Sequence, residues 1–235
     1  MATILITGTD TDVGKTYVSC KLLQALSDGN RRCAGLKPIA SGCENTDGKL
    51  VNADAIALIA SSSVKLSYTQ TNPYAFAPAI APHLAARAAG VNVELTRIIA
   101  AVRAAESVCQ DVIVEGAGGW LSPLANALEH ADLAKALNAP VLLVVGMRLG
   151  CINHARLTAS EIARSGVPLL GWIANVLPQP TLLPLLSPMP ALAENIASLC
   201  ELLPAPMLAL VDADGLHDFG LMSAAMGCCE QPIYK

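Results

Sequence analysis

ATILITGTDTDVGKT, residues 2–16, is the stretch that decides the fold. Its first half is a short apolar run. Its second half is a loop closed by Gly14-Lys15-Thr16. Behind the loop, Val18, Leu22 and Leu26 recur at four-residue spacing, the mark of one buried helix face. A strand, a glycine loop and a helix in that order form a cradle for anions. The first backbone N–H groups of the helix face the loop, and the helix dipole adds about half a positive charge. Gly8 and Gly14 allow tight turns and close approach to oxygens. Lys15 supplies a point charge for β- and γ-phosphates, and Thr16 a hydroxyl for Mg²⁺. Five residues separate Gly8 from Gly14, one more than in the standard phosphate-loop pattern. The extra residue weakens the match in letters and leaves the chemistry intact. The other reading is a glycine turn that precedes a helix by chance.

Outward from this stretch, short apolar runs alternate with helical patterns. CAGLKPIA, DVIVEGAGG, APVLLVVG, GWIANV and APMLALV read as strands. NADAIALIAS, VELTRIIAAVRAAESV, ADLAKALN, NHARLTASEIARSG and ALAENIASLCELL read as helices. In the second of these, Leu95, Ile98, Ile99 and Val102 share one side. Strands separated by such helices predict an α/β fold: one P-loop NTPase-like domain over residues 1–235, its mostly parallel sheet carrying helices on both faces. Two segments change character. Residues 177–192 hold five prolines, which cannot donate to a helix or sheet, so a surface excursion is expected there. Residues 214–235 show no clear period and are expected to be irregular.

Composition narrows the function. Hydrophobic residues make up 53% and charged residues 14%, which favours a large core over disorder. The net charge of −4, with no basic block, excludes a nucleic-acid footprint. The longest apolar run, about nine residues at APVLLVVGM, falls short of the roughly 20 needed to span a membrane. The glycine loop follows ATILIT directly, so no secretory leader is expected. The eight cysteines form no Cys-x-x-Cys pair, and reduced thiols in a cytoplasmic protein are expected.

Three further residues bear on a nucleotide site. The strand DVIVEG ends in Glu115, a carboxylate at the strand end where ligands of such sheets gather and where Mg²⁺ is commonly held. It reads as a metal ligand or as a solvated acid. Lys37 follows the second strand on the same rim as Lys15, and reads as a surface lysine or as a catalytic cation. Asp54, taken alone, is an ordinary acid at a helix start.

Taken together, TGTDTDVGKT, GLKPIASG, NADA, NPYAF, PHLAA, VEGAGGW, PVLLVVGMRLGCINHARLT and GWIAN resemble the dethiobiotin synthase family, in order and at matching intervals, from about residue 3 to 176. The resemblance implies a homodimeric, ATP- and Mg²⁺-dependent carbon–nitrogen cyclo-ligase. The family joins CO₂, supplied as CO₂ or bicarbonate, to 7,8-diaminononanoate and releases ADP and phosphate. One amine traps CO₂ as a carbamate, which takes the γ-phosphoryl group to become a carbamic-phosphoric anhydride. The second amine then closes the cyclic urea.

Carried onto this chain, the resemblance implies that Lys15, Thr16 and Lys37 do the catalytic work. Thr16, Asp54 and Glu115 would hold the metal. Asp12, Val13, Gly14, Lys15, Thr16 and Tyr17 would wrap the phosphates, joined by Gly116, Ala117 and Gly118, while Asn175 and Val176 would meet the adenine. Thr11 and Ser41 would contact the carbamate end of the substrate. Asn153 resembles a helix N-cap, and the N–H groups of Gly150, Cys151, Ile152 and Asn153 would capture the distant carboxylate from the partner subunit. After Val176 the likeness thins: Val211-Asp212-Ala213 stands where the family carries Ile-Pro-x. A nucleotide switch of the partitioning-ATPase kind is the alternative. Such proteins carry an additional lysine early in the loop, where this chain has Asp10.

Overall fold

Residues 2–176 and 189–217 are described by the computed structural model. The chain runs β1 (Ala2–Gly8), α1 (Lys15–Asp28), β2 (Cys33–Leu36), β3 (Ile39–Ala40), β4 (Glu44–Thr46), β5 (Lys49–Val51), α2 (Ala53–Ser61), α3 (Tyr68–Thr71) and β6 (Tyr74–Ala75). It continues through α4 (Pro82–Ala88), α5 (Leu95–Glu106), β7 (Asp111–Glu115), α6 (His130–Leu137), β8 (Val141–Gly146) and α7 (Cys151–Arg164). It ends with β9 (Leu169–Asn175), α8 (Leu192–Leu202), β10 (Met207–Val211) and β11 (Leu216–His217).

Seven strands form one sheet in the order β11-β10-β9-β8-β1-β7-β2. All neighbours are parallel except β10 and β11. β1 lies inside the sheet, beside the central β8, with Ile6 opposite Glu115 of β7 and Leu5 opposite Val141 of β8. Both faces of these strands are covered, which is why they read as unbroken apolar runs. On one face Ile4, Ile6, Ile113, Leu142 and Val144 pack against Val18, Leu22 and Leu26 of α1 and Leu58 of α2. On the other, Leu5, Val112 and Val114 meet Ile98 and Val102 of α5 and Leu133 and Leu137 of α6. Beyond them, Leu143, Val145 and Trp172 meet Ala155 and Ala159 of α7 and Leu199 of α8. Each fully buried large aliphatic side chain contributes about 1.5–3 kcal/mol. These contacts therefore fix the helices on both sides of the rim where the phosphate loop emerges.

The structure departs from the sequence reading in three places. CAGLKPIA is not one strand. β2 stops at Leu36, and β3 pairs instead with β6 in a separate two-stranded sheet. Pro38 is the physical reason, because it lacks a ladder donor and restricts the residue before it. Between α2 and that break lies an unexpected hairpin, β4–β5, turning at Asp47 and Gly48, both at positive φ. The segment from residue 214 is not wholly irregular: β11 adds an antiparallel edge to β10. Residues 177–188 of the proline-rich segment, and 218–235 of the tail, lie outside the described residues. Among the described residues, no helix is long and apolar enough to cross a membrane.

Candidate active site

The phosphate loop is held from beneath and from behind. Val13 is fully buried and packs with Ile4, Ile6 and Val18. Its carbonyl accepts a 2.8 Å hydrogen bond from Asn175 Nδ2 at the end of β9. Gly14 caps α1 at φ 83, and an added Cβ would sit 2.1 Å from Asn175 Nδ2. Glycine is thus required twice over, by the left-handed backbone and by the close side chain. Lys15 folds back so that its Nζ donates to the Asp10 carbonyl at 2.9 Å. The Asp10 carboxylate pairs with Arg148 at 2.5 Å, which ties the phosphate loop to the loop before α7.

Lys37 leaves the sheet just after β2, its backbone fixed by Lys37 N–H to Thr71 O at 2.9 Å and Asn72 Nδ2 to Lys37 O at 2.6 Å. Its Nζ lies 2.6 Å from Glu115 Oε1 and 2.7 Å from Asp54 Oδ2. Glu115 Oε1 also accepts the Thr16 hydroxyl at 2.8 Å. Asp54 sits in the first turn of α2, which is capped by Asn52 Oδ1 accepting from Ala55 N–H at 3.2 Å. Residues from α1, α2, β7 and the β2–β3 connection therefore converge on one point. Glu115 is 1% exposed, and its second oxygen, Oε2, is buried with no hydrogen-bond partner among the described residues.

Charge follows this geometry. Burial pulls the Lys37 pKa down, but the charges of Glu115 and Asp54 outweigh it and hold the group above its ordinary value. Burial also acts on Lys15, helped by the Lys37 charge and only partly offset by Glu115, and lowers its pKa to about 8. Lys15 is the more easily neutralised of the two; Lys37 is firmly cationic.

A cleft of about 1230 Å³ opens over this cluster. Thr11, Asp12, Gly14, Lys15, Thr16, Tyr17, Lys37, Ser41, Asp54, Glu115, Ala117, Gly118, Asn175 and Val176, all singled out in the sequence, are among the residues that line it. Val13 and Gly116 lie beneath it as buried supports. Gly150, Cys151, Ile152 and Asn153 do not line it. The cap assignment there is corrected: Gly150, at φ 95, is the N-cap of α7, and Asn153 is an exposed residue inside its first turn. The Cys151 N–H is already committed to Arg148 O at 2.9 Å. Glycine enters the left-handed region that this turn needs more readily than other residues, so the cap falls at Gly150, three residues before the asparagine.

The sequence reading missed two parts of the site and singled out a third, Asp212 and Ala213, only as a departure from the family's pattern. Ala79–Pro82 form one wall and Asp212–Asp214 another. Tyr17 Oη donates to the Asp212 carbonyl at 2.9 Å, which brings the segment after β10 over the phosphate loop. His130 is the other part missed. It is fully buried, its Nε2 accepts the Ala117 N–H at 3.2 Å, and its ring fills the space beside Gly116, where a Cβ would come within 2.6 Å. Burial, with the charge of Lys15, lowers its pKa to about 4. A His at the start of an amphipathic helix gives no sign of this role.

Residues 2–216 match a family model described as an AAA domain. An ATP-dependent dethiobiotin synthetase BioD of Pseudomonas aeruginosa is 49% identical over 212 residues, covering 90% of each chain. One from Cellvibrio japonicus is 48% identical, covering 88% of this chain and 87% of its own, and one from Escherichia coli K12 is 45% identical, covering 86% and 87%. The chain belongs to the dethiobiotin synthetase family. Among solved structures, a ParA family ATPase from Chlorobium tepidum has TM-score 0.51 at 12% identity, covering 96% of this chain and 89% of that one. The MinC:MinD cell division complex of Aquifex aeolicus contains a chain with TM-score 0.50 at 13% identity, covering 90% and 81%. These two share the fold alone. In this dethiobiotin synthetase family member, Asp10 is engaged with Arg148 and Lys15.

Proposed function

We propose that the protein is an ATP- and Mg²⁺-dependent cyclo-ligase that forms the cyclic urea of dethiobiotin from 7,8-diaminononanoate and CO₂. The observation that carries this reading is the Lys37 ammonium held between Glu115 and Asp54, beside the Thr16 hydroxyl and the phosphate loop. Phosphoryl transfer asks mainly for positioning and for neutralised charge, and this cluster offers both.

One amine of the substrate adds to CO₂, loses a proton and becomes a carbamate. A carbamate oxygen attacks the γ-phosphorus, ADP departs, and a carbamic-phosphoric anhydride forms. The second amine attacks the activated carbonyl, and phosphate leaves as the ring closes. Lys15 and Lys37 flank the carbamate and the γ-phosphate, while Thr11 and Ser41 meet the amine end. Residues 12–17 and the turn from Gly116 to Gly118 wrap the phosphates. Asn175 reads the adenine edge, a role supported by its buried Oδ1, which has no partner among the described residues.

Thr16, Asp54 and Glu115 fit a magnesium ion. They are hard oxygen donors, they leave positions for phosphate oxygens, and the unpartnered Glu115 Oε2 is a buried acceptor of the right kind. When bound, the ion neutralises phosphate charge. In a homodimer, residues 150–153 reach the substrate's distant carboxylate from the second subunit; their position outside the cleft of their own chain supports that arrangement. The reading implies a cytoplasmic enzyme acting as one domain, with no membrane or nucleic-acid partner. ADP release tests it: dependence on both the diamine and bicarbonate supports the ligase, and turnover indifferent to the diamine supports a nucleotide switch instead.

A further inference from the structure

Building on the reading of Thr16, Asp54 and Glu115 as cation ligands, we infer that Lys37 guards that site. Before nucleotide arrives, its ammonium takes the place of the divalent cation between the two carboxylates, so the cation enters only together with the nucleotide.

One ammonium lying against both carboxylates carries the argument. Glu115 Oε1 accepts two hydrogen bonds, from Lys37 Nζ at 2.6 Å and Thr16 Oγ1 at 2.8 Å. A carboxylate oxygen has about two lone-pair sites, so both are taken. The same Nζ holds Asp54 Oδ2 at 2.7 Å. Glu115 Oε2 stays open, but a divalent cation bound through it to the same carboxylate settles beside the ammonium and meets strong repulsion until Nζ moves away. Thr16 can answer by rotating its hydroxyl and offering a lone pair; Lys37 has no acceptor to offer.

The backbone of Lys37 stays put, because its N–H and C=O are both bonded and Pro38 follows. Its side chain lines the cleft beside Lys15 and swings on a flexible stem. Nucleotide phosphates supply the competing anion that draws Nζ off the carboxylates. One movement then empties the cation position and delivers a positive charge to the phosphates. Neither event proceeds alone, so the site does not load metal idly.

Binding of Mn²⁺ to the full-length protein, followed through the paramagnetic resonance signal of the free ion, tests this without turnover. In the absence of nucleotide, wild-type protein is expected to bind Mn²⁺ weakly and Lys37→Met about tenfold or more tightly than wild type. Lys37→Arg, which keeps the charge, is expected to stay weak. With a non-hydrolysable ATP analogue, the gap between wild type and Lys37→Met is expected to close. Lys37→Gln replaces the methionine variant if the latter does not fold. Equal or weaker nucleotide-free binding in the neutral variants would overturn the inference alone. If Glu115→Gln leaves nucleotide-dependent Mn²⁺ binding of the otherwise wild-type protein unchanged, the ligand assignment fails and the inference with it.

Discussion

Thr16 and Glu115 lie 99 positions apart in the chain and meet through a 2.8 Å hydrogen bond. One lies in the first turn of α1 and the other closes β7, so the bond spans the rim between the phosphate loop and the neighbouring strand. The parallel pairing of β1 with β7, Ile6 opposite Glu115, sets that distance. The site is in this sense a product of sheet register.

Glu115→Gln keeps an acceptor for Thr16 and removes the charge. The Mg²⁺ concentration for half-maximal turnover is expected to rise by at least about tenfold, since even outer partners of a metal are worth about 10–100-fold. A metal titration at saturating ATP checks this, and an unchanged curve removes Glu115 from the ligand set.

Lys37→Gln removes the cation that faces both carboxylates. Turnover is expected to fall about 10²–10³-fold, the usual effect of losing one transition-state donor. Nucleotide affinity, set largely by the phosphate loop, is expected to change only a few fold. Turnover equal to wild type contradicts the catalytic role.

Gly14→Ala puts a Cβ 2.1 Å from Asn175 Nδ2 and forces alanine to φ 83. The backbone alone costs about 1–2 kcal/mol, and the contact adds to it. A lower melting temperature is expected, and Asn175→Ala in the same chain is expected to restore part of it. Simple additivity of the two changes would show that the contact is unimportant.

His130 predicts a pH dependence. Its pKa is lowered from 6.5 to about 4 in the fold, so between those values the unfolded chain binds the extra proton. Stability from neutral burial of His130 is present above pH 6.5 and is lost as pH falls toward 4, by up to about 1.4 kcal/mol per pH unit. His130→Phe keeps the ring and cannot titrate. Denaturant unfolding from pH 7 to 4.5 is expected to show a shallower loss in that variant, and parallel curves would refute the assignment.

The features legible in the sequence are those that depend on near neighbours in the chain. Val18, Leu22 and Leu26 announced α1, and Asn52 with Asp54 lay where a helix start was expected. The continuous apolar run of β8 announced a strand buried on both faces. The hairpin at Asp47-Gly48 carried a readable Asp-Gly turn signal, but its exposed flanking strands lack the alternation that makes such a signal convincing. His130, Tyr17 with Asp212, and Asp10 with Arg148 could not be read at all. Each depends on two segments that meet only after the sheet has formed, and no local pattern encodes that. Asn153 misled for the opposite reason: a good capping residue stood near a glycine that backbone geometry favoured more.

The ligase reading is tested most directly by product analysis with ¹³C-labelled bicarbonate, ATP, Mg²⁺ and 7,8-diaminononanoate, read by mass spectrometry. The account predicts a cyclic urea that carries one labelled carbon, formed with one ADP per ring and absent when the diamine is omitted. ADP accumulating at the same rate with or without the diamine, and no labelled urea, would contradict it.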